Sequence, residues 1–206
     1  VRVFARNAEI DTVQTFTSDQ PGDEVGNIAP EPRRVTLAVH HSFMALPQAG
    51  YTPRRLDPRV GGISTQAVDY GMPLGADVVF DLANRFRLEK IDPTAPRSRV
   101  RTPIVWYVDR AAPEPIRSAL IEGASWWKVA FDAAGYIDAF DVRTLPEGAD
   151  PLDARYSMIS WVDRATRGWA YGQQVTDPRT GEILRGMVVL GSERARQDIQ
   201  IYQGLV

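Results

Sequence analysis

The stretch RATRGWAYGQQVTDPRTGEILRGMVVLGS (residues 164–192) predicts two β-strands joined by a tight turn. In TDPRTG, Pro178 presets φ for a type I turn, and Gly181 supplies the positive φ that follows in bulged hairpin loops. Asp177 belongs to the same turn chemistry. The first strand contains GWAYG (168–172), whose glycines leave room for another backbone to approach. Such an edge can pair with an extended peptide, whereas a glycine-bulged edge strand that only packs its aromatic side chains is the simpler alternative.

The residues before this hairpin predict a strand, a helix and two further strands. PIVWYVD (103–109) is short, apolar and β-branched, as a buried strand is, and FDVRTLP (140–146) and ARYSMISWV (154–162) are two more strands. Between the first two, residues 112–136 repeat apolar side chains at helical spacing, and Gly135 suits the position after the last turn. The second half therefore predicts a mixed sheet with one long helix, built on a right-handed βαβ unit.

The first half has a different composition, which predicts a separate domain. It is rich in proline, arginine and short β-type runs, of which RRVTLAVHHSFMAL (33–46) is the longest. The Pro-Arg segment at 53–62 predicts a loop, residues 76–90 fit either a strand or a helix, and residues 91–102 have the composition of a linker. We therefore predict an α+β protein with a β-rich upstream region at 1–97 and a second domain at 98–206.

Composition restricts the classes of partner and site. A net charge of −2 gives no field that would attract nucleic acid. The absence of cysteine excludes disulfides and thiolate zinc sites, and no apolar run is long enough to span a membrane. The sequence starts without an initiator methionine or a signal peptide and stops in the apolar run IYQGLV, so we expect a segment of a longer protein.

Complete catalytic motifs do not occur in the sequence. His40 and His41 are adjacent in a predicted strand and point to opposite faces, which favours structural or surface roles over a shared metal ion. Ser192 lacks the G-x-S-x-G elbow of a serine hydrolase. Whether any two carboxylates converge for acid–base chemistry is left open. Those at strand ends or turns are Asp109, Asp153, Asp163 and Asp177.

Two long runs closely resemble a family of large bacterial zinc-dependent metalloproteases with a metzincin-like catalytic domain. They are TPIVWYVDRAAPEPIRSALIEGASWWKVAFDAAGYIDAF (102–140) and DPLDARYSMISWVDRATRGWAYGQQVTDPRTGEILRGMVVLGSERARQD (150–198). The likeness extends upstream, where the family carries a domain of unknown function, through FTSDQPG (16–22), HHSF (40–43), YTPRRLDPRVG (51–61) and RLEK (87–90). It thus covers most of the chain.

The resemblance implies a role for the hairpin. In metzincin-like proteases the sheet's edge strand lies above the cleft and pairs with substrate, which implies substrate binding by Gly168, Trp169, Ala170, Tyr171 and Gly172. The next element in the family is a helix with H-E-x-x-H, whose histidines bind zinc and whose glutamate activates a metal-bound water. The zinc ligands are therefore expected outside this chain, and no catalytic residue is expected within it. The family often has a histidine where this sequence has Met187.

We accordingly expect part of a zinc-dependent metallopeptidase that hydrolyses peptide bonds, inactive as this segment alone. A periplasmic or extracellular location, a peptide or protein substrate, and a dimer formed through the exposed sheet or the truncated surface are further expectations. The alternative is a non-catalytic protein-binding or assembly module that uses the same edge strand. An H-E-x-x-H just beyond Val206 would favour the peptidase.

Overall fold

The structure, a computed structural model, describes residues 1–164 and 170–205. Its contacts divide the chain into two units, Val1–Ala45 and Leu46–Val206. The fold class is α+β, as the sequence predicts, with a β-rich first half followed by a mixed sheet that carries a bent helix. Among the described helices, none is both long and apolar enough to cross a membrane.

The first unit is a three-stranded antiparallel sheet. Its elements are β1 (Arg2–Val3), β2 (Asn7–Thr17), α1 (Asp23–Ile28) and β3 (Arg34–Met44). The order is β1-β2-β3, and β2 and β3 pair over their whole length, with Asp11 opposite His40. Large apolar side chains remain exposed on this ribbon, for example Val13 at 77% and Phe43 at 61%. Apolar burial therefore contributes little to holding the two long strands together.

The second unit contains the remaining elements. They are β4 (Ser64–Val68), β5 (Val79–Ala83), β6 (Ser98–Arg99), β7 (Ile104–Val108), α2 (Ile116–Ser125), α3 (Trp127–Ala133), β8 (Tyr136–Ile137), β9 (Phe140–Thr144), β10 (Ser157–Val162), β11 (Tyr171–Thr176), β12 (Ile183–Gly191) and α4 (Ser192–Leu205). The ambiguous stretch 76–90 contains the strand β5, which pairs antiparallel with β4. The Pro-Arg segment at 53–62 contains one 3₁₀ turn, Pro58–Val60, and an isolated antiparallel bridge from Arg55 to Leu82 of β5.

The central feature of this unit is a five-stranded mixed sheet in the order β11-β12-β10-β7-β9. The strands β9, β7, β10 and β12 are mutually parallel, and β11 is antiparallel to β12. The strands β7, β9 and β10 lie within three residues of their predicted bounds. The core under α2 and α3 includes Ile104, Val108, Phe140, Val142 and Ile159.

The predicted long helix is bent into α2 and α3 at Trp126. At the bend, the Trp126 N–H donates to the Gly123 carbonyl (3.3 Å) and the Val129 N–H to the Trp126 carbonyl (3.2 Å). These bonds span three residues rather than four, so the helix tightens locally and changes direction. Gly135 ends α3 with φ +83°, as predicted, and a Cβ there would overlap the Pro96 carbonyl oxygen.

A single aromatic side chain crosses the sheet because its neighbours are small. Trp106 on β7, Ser157 on β10 and Gly186 on β12 lie in one row of the sheet. A Cβ built on Gly186 would lie 2.5 Å from Trp106 Cζ2 and closer still to Cη2. The indole therefore occupies the space that a side chain on β12 would need. The Ser157 hydroxyl fixes the same row by accepting a 3.1 Å hydrogen bond from the Gly186 N–H.

The upstream part of the second unit packs on the β11–β12 hairpin. The Arg85 N–H donates to the Gly181 carbonyl (3.1 Å), and the Ile183 N–H donates to the Arg85 carbonyl (2.9 Å). The Arg87 guanidinium donates two bonds to the Glu182 carboxylate, at 2.9 and 2.8 Å. Residues 91–102 are likewise ordered by contacts rather than a free linker, since β6 pairs with β8. The domain boundary expected near residue 97 stays a prediction; the division by contacts lies between Ala45 and Leu46.

Candidate functional site

The strand β11 forms an open edge of the five-stranded sheet. Within the described ranges its one sheet neighbour is β12, against which Tyr171, Gly172 and Gln173 lie opposite Val189, Val188 and Met187. All three β11 residues are exposed. Since N–H and C=O groups of successive residues point alternately to the two sides of an antiparallel strand, half of those on β11 face outward and have no ladder partner among the described residues.

The predicted substrate-binding residues lie at the start of this edge. Tyr171 and Gly172 are the first residues of β11, and Ala170 precedes them. Gly168 and Trp169 lie outside the described residues. The Tyr171 hydroxyl accepts a 3.2 Å hydrogen bond from Arg164 Nη2, and the same guanidinium lies 5.4 Å from the ring centroid.

Gly172 differs from Gly186, the glycine packed against Trp106. A Cβ at position 172 would meet its nearest atom, the Met187 carbonyl oxygen, at 3.9 Å, which is an ordinary contact. Packing within the chain therefore does not require a glycine there. The room that Gly172 leaves is available to a backbone approaching from outside.

The turn that joins β11 to β12 holds the edge strand in register. The Asp177 carboxylate accepts bonds from the Arg179 N–H (2.9 Å) and guanidinium (2.9 and 2.7 Å), and Gly181 has φ +73°. These bonds from Arg179 outweigh burial and keep the pKa of Asp177 below its ordinary value. Asp177 therefore serves the turn, as the sequence predicts.

An apolar groove of about 540 Å³ lies beside β12, between the bent helix and the sheet. Its lining includes Phe86, Trp106, Leu120, Trp127, Val188 and Leu190. Phe86 meets Trp106 edge to face, with ring centroids 6.4 Å apart. The groove offers apolar contact without charged groups, so it can hold a hydrophobic surface but has no group for acid–base chemistry.

Two of the other strand-end carboxylates, Asp109 and Asp153, accept hydrogen bonds within their own turns. The Asp109 carboxylate accepts a 2.9 Å bond from the Ala111 N–H in its own turn. Asp153 is buried and accepts from Arg155, whose hydrogen bonds keep the pKa of Asp153 below its ordinary value. Asp163 is exposed. These contacts are those of loops and turns, and they give no support to a carboxylate-based hydrolase.

The two histidines lie on opposite faces of the first unit, as predicted. His41 Nε2 lies 3.3 Å from Thr12 Oγ1 and 3.1 Å from Gln14 Nε2. On the other face, His40 sits between Asp11 and Glu9, within a group that also includes Asn7 and Ser42. We call these five residues the cross-strand cluster. Local sequence patterns do not predict it, because it depends on the register of β2 against β3.

In residues 1–164 and 170–205, no group of three histidine, aspartate or glutamate side chains could hold a metal ion. Both ring nitrogens of His40 already face carboxylates.

The first half of the chain matches a known family model. Residues 1–91 match a domain of unknown function, DUF5117. The matched residues lie within the predicted upstream region, and the match agrees with the expectation that this region carries a domain of unknown function. No curated protein and no solved structure matches the chain.

Proposed function

We propose that residues 98–206 are the N-terminal part of a zinc-dependent metallopeptidase domain and that β11 aligns an extended peptide for hydrolysis. The proposal rests on the resemblance of residues 102–140 and 150–198 to bacterial metalloproteases. The observation that carries it is the open antiparallel edge of the sheet, which begins at Tyr171 and Gly172. The zinc ligands belong to sequence beyond this chain.

Two features of the edge favour peptide pairing. The outward N–H and C=O groups of β11 can form a ladder with an extended backbone. The exposed side chains at positions 171 and 173 flank a glycine, so an incoming backbone meets little steric resistance at Gly172. On its other side β12 pairs in parallel with β10, so the strand that carries β11 is itself part of the sheet.

The reaction class is tested by comparing two proteins. We expect the full-length gene product to contain stoichiometric zinc and to cleave fluorescein-labelled casein, an unstructured protein, and residues 1–206 to do neither. Metal content by mass spectrometry and release of labelled fragments are the measurements. If the full-length protein binds no zinc, the peptidase proposal is wrong, and a non-catalytic binding module with the same edge strand becomes the better hypothesis.

A pair of proline substitutions tests the edge itself. Because adjacent residues direct their N–H groups to opposite sides, one of Gly172→Pro and Gln173→Pro removes a bond to β12 and the other removes an outward donor. We expect the variant that loses a bond to β12 to have a markedly lower free energy of unfolding. The variant that loses an outward donor should keep its free energy of unfolding within about 0.5 kcal/mol of the parent, yet casein cleavage by the full-length protein should fall at least about tenfold.

Urea unfolding identifies which substitution is which, so each serves as the control for the other. Cleavage at the parent rate by the variant of unchanged stability would show that substrate does not pair with β11.

A further inference from the structure

His40 is held by two carboxylates on the same face of the first unit. The register places Asp11 opposite His40 and Glu9 opposite Ser42, two rows apart and therefore on the same face. His40 Nδ1 lies 2.7 Å from Asp11 Oδ1, and Nε2 lies 2.6 Å from Glu9 Oε2. The Ser42 hydroxyl donates to Glu9 Oε1 at 2.7 Å, and the Asn7 amide donates to the same oxygen.

This geometry suits one protonation state of the ring. An ionised carboxylate only accepts hydrogen bonds, so both contacts are satisfied when both ring nitrogens carry a proton. A neutral imidazole has one N–H and would turn a lone pair toward the second carboxylate. The Glu9 side chain is 1% exposed, and water therefore cannot replace the lost donor there.

The charges around the ring agree with this geometry. The hydrogen bond to Asp11, followed by that to Glu9, raises the pKa of His40 above its ordinary value of 6.5. Burial alone would raise the pKa of Glu9, but the bonds from Ser42, Asn7 and His40 outweigh it and hold this pKa below 4.5. The bond to His40 likewise lowers the pKa of Asp11.

The groups facing the cluster come from three strands. β1 contributes Arg2, whose guanidinium lies 3.8 Å from the Asp11 carboxylate and favours its ionised form. β2 contributes the two carboxylates and Asn7, and β3 contributes His40 and Ser42. His41, the next residue, faces Thr12 and Gln14 on the opposite side, which makes it a matched control.

We propose that His40 is a proton-dependent switch that fastens β3 to β2: the protonated ring holds the cross-strand cluster closed, and its deprotonation loosens this end of the ribbon. The switch has a larger effect here than in a packed domain, because few apolar side chains of the ribbon are buried. The stabilisation that protonated His40 contributes is complete below pH 6.5, and it is lost as the pH rises through the raised pKa of His40 in the folded state.

The opposite limit lies in acid. Glu9 and Asp11 have lowered pKa values, so their contribution is complete above their ordinary values of 4.5 and 3.8 and is lost as the pH falls through those of the folded state. The cluster is therefore closed between these two limits.

The test uses residues 1–206 labelled with ¹³C-histidine. The chain contains two histidines, so the His41→Gln variant assigns the ring signals of His40 directly. We expect His40 to titrate above pH 6.5. The protection of the Glu9, Asp11 and Ser42 amides against hydrogen exchange, corrected for the intrinsic rate, should fall about two- to fivefold across that midpoint, as for partly exposed ion pairs.

Matched variants separate the switch from a general effect of pH. The His40→Gln variant should lose the pH-dependent fall in protection, and His41→Gln should keep it. A His40 midpoint at or below 6.5 would overturn the proposal, as would an equal fall in His40→Gln. The midpoint is measured without substituting His40, so it decides even if His40→Gln does not fold.

Discussion

Replacing Gly186 with alanine should destabilise the protein by about 2–3 kcal/mol, the upper range for overpacking a core. The new Cβ would lie 2.5 Å from Trp106 Cζ2 and nearer to Cη2, and the indole cannot withdraw without vacating the row it fills across the sheet. Both neighbours of β12 are paired strands, so the backbone cannot move aside easily. Urea unfolding measures the loss.

Gly172→Ala is the matched control, because it adds the same methyl group on the adjacent strand, where the nearest atom lies at 3.9 Å. It should change the stability by less than about 0.5 kcal/mol. Shortening the indole by Trp106→Leu should make the alanine at position 186 much less costly, which a double-mutant cycle reports as a favourable coupling. Equal effects of the two glycine substitutions would contradict this account of the sheet.

Replacing Arg87 with alanine should cost about 2–3 kcal/mol, somewhat less than for a fully buried ion pair. The substitution removes two hydrogen bonds to Glu182 and leaves its carboxylate, whose side chain is 9% exposed, without this cation. Arg87 itself is 31% exposed, so solvent reduces the effect below that of a completely buried pair. Thermal and urea unfolding should agree on the loss.

The double variant Arg87→Met, Glu182→Leu should recover most of that stability, because neither charge is then buried alone. Arg97→Ala is the surface control: its partner Asp132 is 53% exposed, and the change should stay within about 0.5 kcal/mol. If Arg87→Ala costs no more than Arg97→Ala, the bidentate pair does not fasten the upstream segment to the hairpin.

Local sequence patterns were enough for the strands and the turn of the second unit. The Asp177–Gly181 turn could be predicted because its determinants lie within five consecutive residues: the Asp177 carboxylate accepts a bond from the Arg179 N–H, and Gly181 adopts a positive φ. The strands β7, β9 and β10 were predicted from short apolar runs, whose burial on the sheet requires no special partner.

Features that depend on residues far apart in the sequence could not be predicted from local patterns. The stretch 76–90 could be either strand or helix by composition, and pairing with β4 decides for β5. The bend at Trp126 lies within a continuous helical pattern. Residues 91–102 have the composition of a linker, which does not predict contacts such as the 2.7 Å hydrogen bond that Lys90 Nζ donates to the Pro96 carbonyl. Each outcome depends on tertiary contacts that override local preference.

The candidate site divides in the same way. The aromatic, glycine-containing start of β11 was recognisable from sequence, and the structure places Tyr171 and Gly172 at the sheet edge, with Ala170 directly before them. The cross-strand cluster was not, because Glu9 and His40 come together only when the register of two 11-residue strands is known. The available signal was that Glu9 and Asp11, and likewise His40 and Ser42, are two residues apart in the sequence, a spacing that places each pair on one face of a strand.

The order of strands in the sheet also constrains how the protein is made. β12 lies between β10 and β11, although β11 comes first in the sequence. Because a ribosome releases the chain from its N-terminus, β7, β9 and β10 can assemble as a three-stranded sheet while β11 is still without its neighbour. The nascent chain therefore acquires its edge strand only after residue 191 has emerged, as the last step in building the sheet.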